Sequence, residues 1–276
     1  MDLSAEVRES DSPFIESVWR SATETAEPFI SIASSQSSLV ITRAHDKVMV
    51  TMRGPETQPT PAIGLPGAEY FGIQFKHGAF FPTLPPATLM DRHDLNLPDA
   101  TRRSFYFNGM TWELPTFENI EGLIDRLAAD GLLVFDAKVD AILNGEPAHM
   151  TPRTAQRRFV QSTGLTHGLI FQIERARYAA DLLKSGTTLT DTIFQAGYFD
   201  QAHMTKSLKR FLGLTPGQVA DPNRLESLSL LYNTAPFVQV TVNEQGGHDE
   251  TIDRNPIHNA GWPLRSAGEM VVPVPD

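Results

Sequence analysis

The sequence predicts an α+β protein: a β-rich N-terminal domain, small-barrel or sandwich-like, followed by an all-α C-terminal domain. Three observations carry this. The chain has 276 residues, about two domains' worth, and its 41% apolar content is enough for packed cores. The hydrophobic period changes near residue 117, from short β-branched and apolar runs to helical spacing. The charge is also unevenly placed. The whole chain carries −10, yet residues 150–224 hold ten Lys/Arg against five Asp/Glu. A basic segment in an acidic chain points to a local polyanion site and excludes a uniformly basic surface.

The β reading rests on Phe29–Ile32, Leu39–Thr42, Val48–Met52 and Tyr70–Phe75, apolar or β-branched runs separated by turn residues. The second and third bracket residues 43–47, which reads as a hairpin with a longer loop. Prolines at 55, 59, 61, 66, 82, 85 and 86 argue against long helices there. Residues 1–115 are therefore assigned to a sensing or dimerisation domain. Phe117, Ile120, Ile124 and Leu127 fall at helical spacing, with Asp130-Gly131 as a stop, and define a linker helix within 116–134. A short helix at 136–143 follows.

Thr151-Pro152 is a helix start, a hydroxyl at the cap and proline at the first helical position. In the helix it opens, Ala155 and Phe159 point inward. Arg153, Gln156, Arg157 and Val160 share one outward stripe at i, i+3, i+4 and i+7, and Gly164 closes it. Arg and Gln near a helix N-terminus are side chains that reach guanine and adenine edges in a major groove. With the helix at 136–143 they satisfy the helix-turn-helix pattern. After a helix from about Thr166 to Lys184 the arrangement repeats. Thr188 or Thr190 caps one helix and Asp200 caps the next. In that last helix Met204, Leu208 and Phe211 face inward, and Gln201, Ala202, Thr205, Lys206 and Lys209 face outward. The connecting helix, at about 27 Å, roughly matches the spacing of about 34 Å between successive major-groove faces.

Residues 151–165 (Thr-Pro-Arg-Thr-Ala-Gln-Arg-Arg-Phe-Val-Gln-Ser-Thr-Gly-Leu) resemble the first half of the AraC/XylS family DNA-binding domain. Residues 195–216, which include Gln-Ala-Gly-Tyr-Phe-Asp-Gln-Ala-His-Met, resemble its second-half signature. The resemblance covers about residues 135–222, with a domain drawn at 135–224. It implies a transcription regulator that inserts two recognition helices into adjacent major grooves of double-stranded DNA. Base contacts would come from Arg153, Gln156 and Arg157, then Gln201, Ala202, Thr205 and Lys206; Arg158 and Lys209 would meet phosphates. Ala202 offers only an apolar contact, for example to a thymine methyl. Phe71–Ala79 with Leu89–Arg92 resemble the small β domain of one subgroup of the family. That implies a small-molecule effector, whose pocket would involve Trp19, Tyr70, Phe71, Phe75 and Trp112. The same aromatics also suit a β-domain core. RNA polymerase would be a partner of an activator, and a homodimer fits the dimerisation reading.

Other chemistries have little support. There are no cysteines, so disulfides, thiolate metal sites and cysteine nucleophiles are excluded. The eight histidines stand singly, without a metal-binding spacing. No metal, cofactor or catalytic residue is expected. The alternative is an enzyme whose β domain performs the chemistry while the helices tether it to DNA. With neither a signal peptide nor a membrane-length apolar run at hand, the expectation is a soluble, cytoplasmic protein. Residues 225–276, rich in Pro, Gly and Asn, read as an extended tail with one strand at Phe237–Val242.

Overall fold

The structure is a computed structural model that describes residues 6–221 apart from 27 and 148. The tail at 225–276 and its strand lie outside the described residues. Twelve strands come first among the described elements: β1 (Glu6–Arg8), β2 (Ile15–Thr23), β3 (Pro28–Ser31), β4 (Ser38–Ala44), β5 (Lys47–Arg53), β6 (Thr60–Ile63), β7 (Ala68–Phe75), β8 (Ala79–Phe80), β9 (Leu95–Asn96), β10 (Ser104–Phe107), β11 (Met110–Glu113) and, after helix α1 (Ile120–Ala129), β12 (Val134–Phe135). Then come α2 (Ala137–Leu143), α3 (Pro152–Thr163), α4 (His167–Lys184), α5 (Leu189–Gln195), α6 (Gln201–Leu212) and α7 (Pro216–Val219).

Six strands form one antiparallel sheet in the order β1-β2-β7-β4-β5-β9; β3 with β6, β8 with β12 and β10 with β11 make two-stranded sheets. Alternation along the strands separates two faces of the large sheet. On one, Val18, Leu39, Ile41, Val50, Met52, Phe71, Ile73 and Phe75 join a core completed by Phe105, Trp112 and the α1 residues Ile120, Leu123, Ile124 and Leu127. The helix expected as a linker is thus part of the β-region core. The opposite face carries Ser17, Trp19 and Ser21 on β2, Ser38, Val40 and Thr42 on β4, and Gln74 on β7, all buried as well.

Three strand features differ from expectation for physical reasons. The sequence gives β2 no period-2 hydrophobic signal, because its second buried face sets Trp19 between Ser17 and Ser21 and a register shift between Ile15 and Ser17 breaks the alternation. β10 and β11 form a hairpin across Asn108-Gly109, both at positive φ (51° and 84°), a turn that Asn-Gly favours. The loop expected between β4 and β5 shrinks to His45-Asp46. Arg43 stays extended there and lies over the Phe71 ring, 5.2 Å from its centroid.

The β region and the helices share a seam. Ile32 and Ala33, in the segment after β3, are buried in the helical core beside Phe159, Ile173, Leu208 and Phe211. The Ala33 N–H donates to the Phe211 carbonyl of α6 at 2.8 Å. Arg177 of α4 donates to the Ala33 carbonyl at 3.1 Å. Ser35 Oγ donates to Glu174 of α4 at 2.5 Å and lies 2.7 Å from His77 Nε2. The serine's single proton goes to the carboxylate, so His77 Nε2 is the donor to Ser35 Oγ.

Burial pushes His77 below the ordinary histidine range, and Glu174 only partly offsets this. Burial lowers His167 too. A base depressed in the folded state leaves the unfolded chain holding more protons, so stability rises with pH through that interval. Stability is therefore expected to be full above about pH 6.5 and to fall as pH drops below it. Urea melts at pH 7.5 and 5.5 check this; His77→Gln should flatten the dependence, and an unchanged slope would refute the assignment. Burial raises the Glu16 and Asp140 carboxyls, which adds a slope of opposite sign in the carboxylate range.

Candidate nucleic-acid interface

Each helix of the expected interface is fixed by its own cap. At α3, Thr151 Oγ1 accepts from the Thr154 N–H at 3.2 Å, Pro152 takes the first helical position, and Gly164 ends the helix at φ 76°. That φ is open to glycine and strained for other residues. At α6, the Asp200 carboxylate accepts from the His203 N–H at 2.7 Å, and Gly213 ends the helix at φ 77°. Thr166, Thr188 and Thr215 cap α4, α5 and α7 in the same way. These hydroxyl and carboxylate caps set where each helix begins, and so which residues fall on its outer face.

The inner faces anchor both helices. Phe159 and Ser162 of α3, and Met204, Leu208 and Phe211 of α6, are buried. The outer faces are left open. Arg153, Gln156 and Arg157 are exposed on α3, and Val160 is 40% exposed beside them. On α6, Gln201, Ala202, Lys206 and Lys209 are exposed and Thr205 is half-buried. These five make up one open stretch of the outer face of α6. It combines amide, hydroxyl, methyl and ammonium groups, the set that meets base edges and phosphates.

One cation expected at a phosphate, Arg158, has a partner within the chain. Arg158 donates to Asp136 at 2.7 Å. The same carboxylate caps α2 by accepting from the Lys138 N–H. Arg158 therefore holds α2 against α3, which competes with the phosphate role expected for it. His203 sits 3.4 Å from Arg175 and edge-on to the Tyr198 ring. Burial and the neighbouring Arg175 lower its pKa. Arg175 in turn lies over Tyr198 at 4.5 Å, so this cluster ties α6 to α4. Tyr198 donates to Ser207 at 2.9 Å.

The five aromatics expected at an effector pocket do not come together. Phe71, Phe75 and Trp112 pack into the first core, with Trp112 Nε1 donating to the Phe107 carbonyl at 3.1 Å. Trp19 and Tyr70 lie on the opposite face of the sheet. The Tyr70 hydroxyl accepts from the Leu65 N–H at 2.9 Å. Strand alternation is the reason: neighbours such as Tyr70 and Phe71 must point to opposite sides. Two residues that sequence reasoning passed over stand out instead. Phe194 and Phe199, flanking the turn between α5 and α6, are 82% and 83% exposed. Among the described residues no group of acidic or histidine side chains is arranged to hold a metal. None of the described helices is long and apolar enough to cross a membrane.

Residues 146–221 match a family model described as a helix-turn-helix domain. The chain is similar to the HTH-type transcriptional regulator VirS of two Mycobacterium tuberculosis strains, CDC 1551 / Oshkosh and ATCC 25618 / H37Rv. In each the identity is 33% over 101 residues, 37% of this chain and 28% of the relative, so the similarity spans little more than a quarter of those proteins. No solved structure matches the chain. The capped helices, their open polar faces and these similarities agree: residues 146–221 form a DNA-binding helix-turn-helix domain of the AraC type.

Proposed function

We propose that the chain is a sequence-specific transcription regulator in which α2–α3 and α5–α6 act as two helix-turn-helix units. The observation that carries this is the repeated design of α3 and α6: a capped N-terminus, an apolar side in one core, and an exposed polar stripe. α4, with 18 residues, separates the two units by about 27 Å, close to the repeat of successive major-groove faces. Arg153, Gln156 and Arg157 read bases from α3. Gln201, Ala202, Thr205 and Lys206 read them from α6, and Lys209 meets phosphate. Residues 135–224 act as the DNA-binding domain and 1–115 as the sensing domain, with α1 attached to the latter. RNA polymerase contact and pairing with a second copy belong to the same reading.

A small-molecule effector acting through the β region is supported by its unmet polar groups. Ser17 Oγ, Trp19 Nε1, Ser21 Oγ and Gln74 Oε1 are buried without a hydrogen-bond partner, all on one face of one sheet. Folded proteins keep few such groups, and a cluster of them suits water or a polar ligand.

Selection from a randomised duplex library at about 0.15 M salt tests the DNA reading. Two half-sites about 10 bp apart are expected. On the selected duplex, Arg157→Ala should cost about 1–3 kcal/mol and relax one base position. Lys209→Ala should weaken selected and random duplexes alike. Equal loss on both duplexes for Arg157→Ala would remove it from the base-reading set.

A further inference from the structure

A small cleft lies on the seam between the large sheet and α4. Its volume is about 20 Å³, and Gln36, Gln74, Arg53, Glu56 and Arg177 are among its lining residues. Gln36 and Gln74 are 8% and 3% exposed. Gln36 Nε2 and Gln74 Oε1 have no partner, although Gln74 Nε2 donates to Ser34 Oγ at 3.4 Å. The wall therefore presents one unmet donor and one unmet acceptor, each on a side chain more than nine-tenths buried.

The charged groups around it are already matched. Arg53 pairs with Glu56 and, at 3.2 Å, with Asp94. Arg177 donates to the Ala33 carbonyl, and its Nε lies 3.9 Å from Glu174. An ion entering the cleft would find no uncompensated charge and would lose its hydration. An uncharged group with an acceptor beside a donor meets both open positions. A primary carboxamide has that pattern, with a carbonyl for Gln36 Nε2 and an N–H for Gln74 Oε1. The volume admits water or a head group and leaves the rest of a ligand at the mouth of the cleft.

We infer that this cleft binds the carboxamide head of a small molecule and that the seam transmits its occupancy to α6. The inference rests on the effector reading above and gives that effector a place and a chemistry. The route is short. Gln36 is three residues from Ala33, which bonds both to Arg177 of α4 and to the last turn of α6. A ligand that favours one position of segment 31–36 therefore acts on the helix that carries Gln201 to Lys209, in proportion to its preference for that position.

The probe is acetamide, added to the full chain while the side-chain amide resonances of Gln36 and Gln74 are followed by nitrogen-15 NMR. N,N-dimethylacetamide, which lacks the donor, and sodium acetate, which is charged, serve as comparisons. The expected result is a saturable shift of both glutamines with acetamide, at least fivefold weaker with either comparison compound and lost in Gln74→Leu. Gln36→Met is the second variant should Gln74→Leu fail to fold. A non-saturable response, equal responses to the three compounds, or an undiminished response in both variants would overturn the site and leave a hydrated cleft. Affinity for the selected duplex, measured in the same samples, separates the two readings. Saturable acetamide binding with unchanged DNA affinity would keep the site and overturn its regulatory role. Absent acetamide binding with intact DNA specificity would overturn the site and leave the DNA reading standing.

Discussion

Arg177→Met is expected to lower the stability of the chain by about 3–5 kcal/mol, because it breaks a buried ionic arrangement from one side. Arg177 and Glu174 sit one helical turn apart on α4 with side chains 7% exposed, and both face the β region. Removing the guanidinium leaves the Ala33 carbonyl without this donor and the Glu174 charge less compensated in a poorly polarisable setting. Glu174→Gln on its own should also destabilise, by leaving Arg177 less balanced. The double variant should recover part of the loss, since an apolar or neutral replacement for a whole buried pair is often tolerated. Urea unfolding of the four proteins gives the coupling. Single-variant losses that add within about 0.5 kcal/mol would mean the two residues act independently. A functional consequence follows from position: Ala33 also bonds to Phe211, so Arg177→Met should loosen the β region's hold on α6.

Phe159→Ala is expected to cost about 3–5 kcal/mol, the usual range for emptying an aromatic site in a packed core. Phe159 is 1% exposed, sits in the helical core and packs against the His167 ring at 5.1 Å. It is also the residue that orients α3. With Phe159 inward, Arg153, Gln156 and Arg157 are outward, and without that anchor the rotation of the helix is less tightly fixed. Affinity for the selected duplex should therefore fall by more than Arg157→Ala alone produces, even at temperatures where the variant stays folded. Wild-type affinity in a folded Phe159→Ala protein would show that α3 is held by its caps and by the Arg158–Asp136 pair instead.

The helices were legible in the sequence because their signals are local. A threonine or aspartate at the cap, an apolar stripe three or four residues apart and a glycine at the end each act within one or two turns. Thr151, Thr188, Asp200 and Gly164 serve in those roles. The β region was legible only in part. Strands with a hydrophobic face, such as β4, β5 and β7, announced themselves. β2 did not, since Ser17 and Ser21 are buried by the fold and not by their own chemistry. The Asn108-Gly109 turn was a readable hairpin signal that the flanking runs, at four residues each, were too short to reinforce.

Residue pattern and spacing were enough to read an α+β chain, the basic helical segment and its caps, and two local stretches carried the family resemblance, because each depends on neighbours along the chain. Tertiary structure decided the rest. It placed Phe71, Phe75 and Trp112 in a core and Trp19 on the opposite face, gave Arg158 to Asp136, and absorbed α1 into the β region. It also set Ile32, Ala33 and Ser35 against α4 and α6, more than 130 residues away in sequence. Such contacts depend on which surfaces meet after long loops close, and hydrophobic periodicity carries no information about that choice.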